Sequence, residues 1–259
     1  MRQPQGRPGQ GLASRCGLLR PALACDLSAY SRRTVHLRDG PAGDLLQPVF
    51  RTTQMLLDVD DSQLVLVDYQ VRLMPAIHEG AAVLANAVRL AQLAQLMHVP
   101  LMATAQNPAK LGGQAPELQA VLAAAGAKQL DKMHFSAVAD GLADWLRPPV
   151  RKPAGNARSL PRHLQKPPAE QEEGRSAIVL AGCEAHVCLM QTALELLQEE
   201  FEVWVVTDAC GSRSERNRDA AFDRLAGAGA ELVTTEMVVF EWLRSCEHPA
   251  FKQAQALIK

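Results

Sequence analysis

The sequence predicts an α/β protein, a three-layer α/β/α Rossmann-like sandwich built on a six-stranded parallel sheet. Two observations predict this fold: after residue 55, short apolar β-prone runs alternate with segments of helical periodicity, and most of these runs are bounded by polar, Gly or Pro residues. Parallel strands need crossover connections, so strands separated by helices are typical of βαβ units. The chain has 259 residues, 47% hydrophobic and 4% aromatic, so Ala, Leu and Val must build the core.

The first half of the predicted domain contains three strands and three helices. The strands are Leu64–Val67, His98–Ala103 and Lys128–Lys132, and the helices are Ala81–Met97, Pro116–Ala125 and a segment from a Ser136 cap to Leu146. Leu84, Ala87, Val88, Ala91 and Ala94 recur at helical spacing in the first helix. Pro116 and Gly126 mark the start and the end of the second helix.

The second half repeats this order and brings the total to six strands in one sheet. Its strands are Ala177–Leu180, Val203–Val206 and Ala230–Thr234. Its helices are Val187–Glu200, Glu215–Ala226 with Gly227 as the cap, and two more that start at Glu236 and Pro249.

Two segments are expected to lie outside the fold, so the domain is assigned to residues 55–259. Residues 1–54 contain eight Arg but no Lys or Glu, and three interpretations stand: a mis-called start before Met55, a transit peptide, or a disordered arm. The expected location is the cytoplasm, or the mitochondrion if the transit peptide is genuine. Residues 148–175, with six prolines and six basic residues, predict a solvated surface insertion.

Charge and cysteine content exclude several classes of protein. Lys and Arg number 27 against 28 Asp and Glu, a net charge of −1, which argues against a nucleic-acid partner. No run approaches the roughly 18 to 20 apolar residues of a membrane helix, so no membrane partner is expected. The six cysteines form no Cys-x-x-Cys pair, which predicts free thiols in a reducing compartment rather than disulfides or a zinc cluster.

Three chemically useful side chains follow strands of the predicted sheet. Asp68 ends the first strand, Lys132 ends the third, and Cys188 follows the fourth at the start of a helix. Sites in open parallel sheets gather beyond the carboxyl ends of the strands, so these groups can share one pocket. A helix start favours the thiolate of Cys188, and the Lys132 ammonium is expected to lower the pKa of that thiol further.

The same residues suggest the roles of a hydrolase. Asp68 can accept the thiol proton and return it to a leaving amine as general acid. Amides of the turn 182–188 can form an oxyanion hole. Each residue also has a structural explanation, as a cap, a solvated lysine or a small core residue. The alternative function is therefore a non-catalytic oligomeric or interaction protein that retains the triad.

Three segments resemble the isochorismatase-like cysteine hydrolases, and the similarity extends from about residue 62 to the C-terminus apart from the insertion. The segments are 64–70 (LVLVDYQ), 131–137 (DKMHFSA) and 182–194 (GCEAHVCLMQTAL). The resemblance implies a catalytic triad of Asp68, Lys132 and Cys188. It also implies a cis peptide between Cys183 and Glu184, with the backbone N–H groups of Glu184 and Cys188 as the oxyanion hole. Segment 206–214 (VTDACGSRS) is similar to a further family motif, near the pocket.

Departures from related patterns narrow the expected chemistry. Nicotinamidases of this superfamily bind a metal through histidines after strand two, whereas residues 104–113 contain none, so neither a metal nor another cofactor is expected. The presence of Cys188 disfavours vinyl-ether hydrolysis. The expected reaction is hydrolysis of an amide or related C–N bond of a small molecule through a thioester, in a homo-oligomer (dimer or larger). Side chains expected to line the pocket are Tyr69, Gln70, Gln106, Asn107, Phe135 and His186.

Overall fold

The computed structural model describes residues 56–147 and 174–259, and these form the predicted parallel six-stranded sheet. The strands lie in the order β3-β2-β1-β4-β5-β6, and every neighbouring pair is parallel. Their bounds are β1 Ser62–Val67, β2 Leu101–Gln106, β3 Lys128–Lys132, β4 Ala177–Gly182, β5 Glu202–Val206 and β6 Glu231–Val233. The predicted fold class is confirmed. The predictions for residues 1–54 lie outside the described residues, as do those for the insertion apart from its last two positions.

Helices flank the sheet on both faces. Their bounds are α1 Gly80–Leu96, α2 Pro108–Leu111, α3 Pro116–Ala124, α4 Leu142–Leu146, α5 Met190–Gln198, α6 Glu215–Ala228, α7 Thr235–Leu243 and α8 Phe251–Leu257. Helix α1 packs against α3, α7 and α8, whereas α5 packs against α6. In the part of the chain that the structure describes, no helix is both long and apolar enough to cross a membrane.

The two central strands explain why the sheet was recognisable from sequence. All six residues of β1 and all six of β4 are buried, because helices cover both faces of the sheet. Such strands are continuous apolar runs rather than alternating ones. At the end of this pair Gly182 lies opposite Val67, and a Cβ atom built on Gly182 would be 2.5 Å from the Val67 carbonyl oxygen. Glycine therefore permits the close approach of β4 to β1.

Several predicted element boundaries were wrong, and three of them show how a single residue can displace or interrupt an element. Strand β2 begins at Leu101 rather than at His98, whose φ of 57° turns the chain before the strand. The segment 136–146 is two short helical pieces, because Gly141 with φ 95° separates a 3-10 turn from α4. Helix α6 runs on past Gly227 to Ala228, and Gly229, with φ 98°, is its left-handed cap. The short helix α2 was not predicted.

The strand order creates the crevice in which the predicted site residues meet. Strand β1 leads to β2 on one side, and its other neighbour β4 leads to β5 on the opposite side. This reversal is a topological switch point, where ligands of open α/β sheets bind beyond the carboxyl ends of the strands. Asp68 follows β1 directly, and Cys188 follows β4 after a short turn.

Candidate active site

Asp68 is a fully buried carboxylate at the carboxyl end of β1. Its backbone has φ 57°, and its amide donates to the Thr104 carbonyl at 3.1 Å. The Thr104 hydroxyl donates to Asp68 Oδ1 at 2.7 Å, and Oδ2 lies 2.7 Å from Lys132 Nζ. Both side chains of this ion pair are 0% exposed. Sequence reasoning missed Thr104, whose position on β2 is the only signal that would have placed it beside Asp68.

The Lys132 ammonium is surrounded by acceptors. Besides Asp68 Oδ2, these are Gln106 Oε1 at 2.7 Å, the Phe135 carbonyl at 3.0 Å and the His134 carbonyl at 3.4 Å. An ammonium has three N–H donors, so four acceptors use all of them. Lys132 therefore holds Asp68 and the loop after β3 in place, and its charge is balanced within the protein.

Cys188 lies beside this ion pair, in a different local structure from the one predicted. Residues Ala185–Leu189 form a π-helical turn, and α5 begins only at Met190. The Leu189 amide donates to the Glu184 carbonyl five residues back, at 3.3 Å. The Cys188 thiol is 3.9 Å from Gln106 Oε1 and interacts with both Asp68 and Lys132. Cys188 thus does not occupy the first turn of an α-helix.

The expected low pKa of the nucleophile was also wrong. The pKa of Cys188 is raised to about 12, first because burial disfavours the thiolate and second because the Asp68 carboxylate lies close. Lys132 lowers the pKa, but by less than these two effects raise it. The resting site therefore contains a neutral thiol, so a base must take the proton during attack. Alkylation of Cys188 at low pH would need a preformed thiolate and is therefore not expected.

Glu184 is held by Arg213, which belongs to the segment 206–214 expected near the pocket but was not predicted to be a site residue. The peptide bond between Cys183 and Glu184 is cis. The buried Glu184 carboxylate accepts from Arg213 Nη2 at 2.6 Å and from Arg213 Nε and backbone N at 3.0 Å each. These hydrogen bonds hold the pKa of Glu184 below its usual range. Within the described residues, the Glu184 amide itself donates no hydrogen bond.

Gln106 is the predicted pocket residue that comes closest to the reaction centre. Its Oε1 contacts both Lys132 and Cys188, and its Nε2 donates to the Met133 carbonyl at 2.8 Å. Gln70 lies behind it and is fully buried. The Gln70 side-chain oxygen Oε1 accepts from the backbone N–H of Gln106 at 2.9 Å. The backbone N–H of Asn107 donates to the Lys132 backbone carbonyl at 2.9 Å, which connects the end of β2 to the end of β3.

Three other predicted pocket residues have different environments. Tyr69 does not line an open pocket, because it is fully buried and its hydroxyl donates to the Ala209 carbonyl. The His186 ring contacts Ser212 Oγ at 2.9 Å and Asn217 Nδ2 at 3.4 Å, so it links the nucleophile turn to the chain after β5. Phe135 is 53% exposed at the loop after β3.

Over residues 56–147 and 174–259, no cluster of three or more His, Cys, Asp or Glu side chains is placed to hold a metal ion. The groups around Cys188 are one carboxylate, one ammonium and one amide, an arrangement suited to moving a proton.

The buried thiols make a prediction for stability at high pH. The pKa values of Cys188 and Cys210 are raised to about 12 from an ordinary 9.0, with burial as the first cause. Below about pH 9 these thiols are protonated in both the folded and the unfolded chain, so their contribution to stability is fully present. Above it the unfolded chain loses its protons first, and the free energy of unfolding should fall as pH rises toward about 12.

Urea unfolding at about pH 8 and about pH 11 measures this fall. Cys210→Ala should make the decline shallower, whereas Cys246→Ser, at an exposed free thiol, should leave it unchanged. Equal slopes in the wild type and in Cys210→Ala would contradict the assignment.

Comparisons with known proteins agree with this fold. The family model of the isochorismatase domain matches residues 169–237. The mouse isochorismatase domain-containing protein 2A is 34% identical over 203 residues, which cover 77% of this chain and 84% of the mouse protein. The solved MAR1 ribonuclease of Caenorhabditis elegans is 29% identical with a TM-score of 0.66, over 78% of this chain and 92% of that one.

Two further solved structures share the fold at lower identity. YcaC from Pseudomonas aeruginosa, solved with covalent acrylamide, is 23% identical with a TM-score of 0.62, over 80% of this chain and 91% of that one. Escherichia coli YcaC, described as an octameric hydrolase of unknown specificity, is 24% identical with a TM-score of 0.59. The match covers 79% of this chain and 95% of that one. The resemblance found in the sequence is confirmed, and the chain belongs to the isochorismatase family, whose fold is shared by hydrolases such as nicotinamidase.

Proposed function

We propose that this protein is a cysteine hydrolase that cleaves an amide or related C–N bond of a small molecule through a thioester on Cys188. The observation that carries the proposal is the buried pair of Asp68 and Lys132, 2.7 Å apart, in direct interaction with the Cys188 thiol. A carboxylate held beside a neutral thiol is a base placed to activate it.

The first half of the reaction forms the thioester. As Sγ attacks the carbonyl carbon, the Sγ–C bond forms and the thiol proton moves to Asp68, so no free thiolate is needed. The carbonyl π electrons move onto oxygen. The C–N bond then breaks, the electron pair stays on nitrogen, and Asp68 returns the proton to the leaving amine. Lys132 stays charged throughout and offsets the carboxylate whenever Asp68 is deprotonated.

The second half restores the enzyme. Water attacks the thioester carbon and gives a proton to Asp68, the Sγ–C bond breaks, and Sγ takes that proton back. In both halves the oxyanion would accept from the backbone N–H groups of Glu184 and Cys188. Arg213 supports this role because it neutralises the Glu184 carboxylate, which otherwise would place a negative charge close to the developing oxyanion.

A small molecule suits this site better than RNA, although the nematode relative is described as a ribonuclease. Cys188 is only 6% exposed, and the chain as a whole carries a net charge of −1. A phosphodiester backbone would have to reach a thiol that is almost fully buried, and the net charge of the chain gives it no overall attraction.

The experiment is a screen of small amides and ureas against the purified protein, with intact-mass detection of an acyl adduct. We expect at least one compound to give an adduct that peptide mapping places on Cys188 and that Cys188→Ala loses. Cys246→Ser is the matched control and should keep the adduct, because Cys246 is an exposed free thiol. Turnover that persists in Cys188→Ala would contradict the mechanism, and cleavage of a short RNA would favour the nematode relative's activity.

We also propose a homo-oligomer, following the octameric relative from Escherichia coli. Light scattering tests this proposal, because a monomer would give the 28.1 kDa of a single chain. An oligomer in which Cys188 reacts no faster with any compound than Cys183 or Cys210 would favour the alternative, a non-catalytic assembly that retains the triad.

A further inference from the structure

We infer that the substrate is uncharged next to the bond that is cleaved and carries an apolar group, which packs against Met133 and Phe135 at the mouth of the site. This inference rests on the proposed function, because it names the substrate class of the same site. Two independent observations support it: the charges around Cys188 are balanced, and an exposed apolar pair borders the groups that hold the thiol.

Every charged side chain around Cys188 already has a counter-charge. Asp68 pairs with Lys132 at 2.7 Å, and Glu184 pairs with Arg213 at 2.6 Å. The Lys132 N–H groups are used by four acceptors, so they cannot bind an anion without losing one. A substrate carboxylate would therefore lie close to the buried Asp68 without an unpaired cation to receive it, which is costly at low dielectric.

Met133 and Phe135 have the opposite character. At 65% and 53% they are the two most exposed large hydrophobic side chains among the described residues. Met133 directly follows Lys132, and Phe135 lies two positions further on, in the loop at the carboxyl edge of the sheet. Exposed apolar side chains that lie together beside a site mark a surface that binds apolar matter.

The backbone geometry brings this pair next to the reaction centre. The Phe135 carbonyl oxygen is 3.0 Å from Lys132 Nζ, and the Met133 carbonyl oxygen is 2.8 Å from Gln106 Nε2. A carbonyl oxygen lies about 2.4 Å from its own Cα, so the Cα atoms of Met133 and Phe135 are at most roughly 5.5 Å from the side-chain atoms of Gln106 and Lys132 that bind those carbonyls. A ligand group that covers Met133 and Phe135 therefore lies beside the bond being cleaved.

Three thiol probes separate charge from apolar contact: acrylamide, acrylate and N-phenylacrylamide. In each reaction the bond from Sγ to the terminal carbon forms and the C=C π bond breaks. The thiol proton moves through Asp68 to the carbon next to the carbonyl, so no oxidant or reductant is needed. Cys246, an exposed free thiol of the same chain, serves as the internal reference. The ratio of the two cysteines' rates removes the intrinsic reactivity of each probe.

We expect the Cys188 to Cys246 rate ratio to be at least tenfold lower for acrylate than for acrylamide. For N-phenylacrylamide it should be about tenfold higher, the factor for removing roughly 55 Å² of apolar surface from water. Peptide mass spectrometry gives both rates from one sample. A ratio for acrylate that equals or exceeds that of acrylamide would overturn the inference and would point to Arg213 as an anion site.

Substitutions test which surface the phenyl group contacts. Phe135→Ser and Met133→Ser should each remove most of the preference for N-phenylacrylamide, whereas Phe240→Ser, a 42% exposed phenylalanine on α7, should retain it. Circular dichroism of each variant checks the fold. A change of oligomeric mass in Phe135→Ser with the preference intact would assign the pair to a subunit contact and overturn the inference. If Cys188 reacts with none of the probes while Cys246 does, the proposed function itself fails.

Discussion

Replacing Asp68 with Asn is expected to slow formation of the Cys188 acyl adduct by about 10² to 10⁴-fold, the usual contribution of general acid–base catalysis. Asparagine has nearly the same shape and can still accept from the Thr104 hydroxyl, which donates to Oδ1 at 2.7 Å. It cannot take the thiol proton. The substitution also removes the Asp68 charge that helps to raise the pKa of Cys188, but burial, the largest cause of the raised pKa, persists, so the buried thiol still lacks a base to take its proton.

The pH dependence provides a second measurement in the same variant. In Asp68→Asn, alkylation of Cys188 must proceed through the free thiolate, so its rate should keep rising as the pH approaches the thiol pKa. Asp131→Asn is the matched control, because Asp131 is exposed on the same edge strand as Lys132 and should have no effect. An Asp68→Asn protein that forms the adduct at the wild-type rate would rule out Asp68 as the base.

Replacing Lys132 with Met is expected to reduce the free energy of unfolding by roughly 3 to 5 kcal/mol, the cost of leaving one partner of a buried ion pair uncompensated. Both side chains of the pair are 0% exposed, so solvent cannot replace the lost ammonium. Methionine has a similar length and fills most of the same space. Denaturant titration of the purified variant measures the change.

Two comparisons show whether the loss comes from the unpaired charge. Lys128→Met, an exposed lysine on the same strand that lies 6.0 Å from the Trp145 ring, should cost about 1 kcal/mol or less. The double variant Asp68→Asn with Lys132→Met should recover a large part of the stability, because no buried charge is left without a partner. A double variant less stable than Lys132→Met alone would contradict this explanation.

Much of the fold was predictable because local patterns and the tertiary structure agree. Strands β1 and β4 are buried on both faces, and their runs of Leu, Val, Ile and Ala therefore appear in the sequence as continuous apolar segments. The wrong boundaries lie where one residue with positive φ interrupts a pattern, as at His98 and Gly141. Sequence periodicity carries no signal for such single positions.

The supporting residues of the site were harder to predict than its three principal groups. Asp68 and Lys132 end strands and Cys188 follows one, which sequence order alone makes visible. Thr104 and Arg213 act through contacts with residues 36 and 29 positions away. Such contacts depend on which strands become neighbours and leave no spacing to recognise.

The sequence by itself determined the class of sheet and which groups arrive at its carboxyl edge, because apolar runs mark where strands lie along the chain and a parallel sheet collects its strand ends on one side. Only the tertiary structure decided the state of those groups. The helix-start argument predicted a thiolate, whereas burial and the nearby Asp68 carboxylate keep Cys188 a thiol with a pKa of about 12. Desolvation depends on everything packed around a group, and that packing exists only once distant segments have come together.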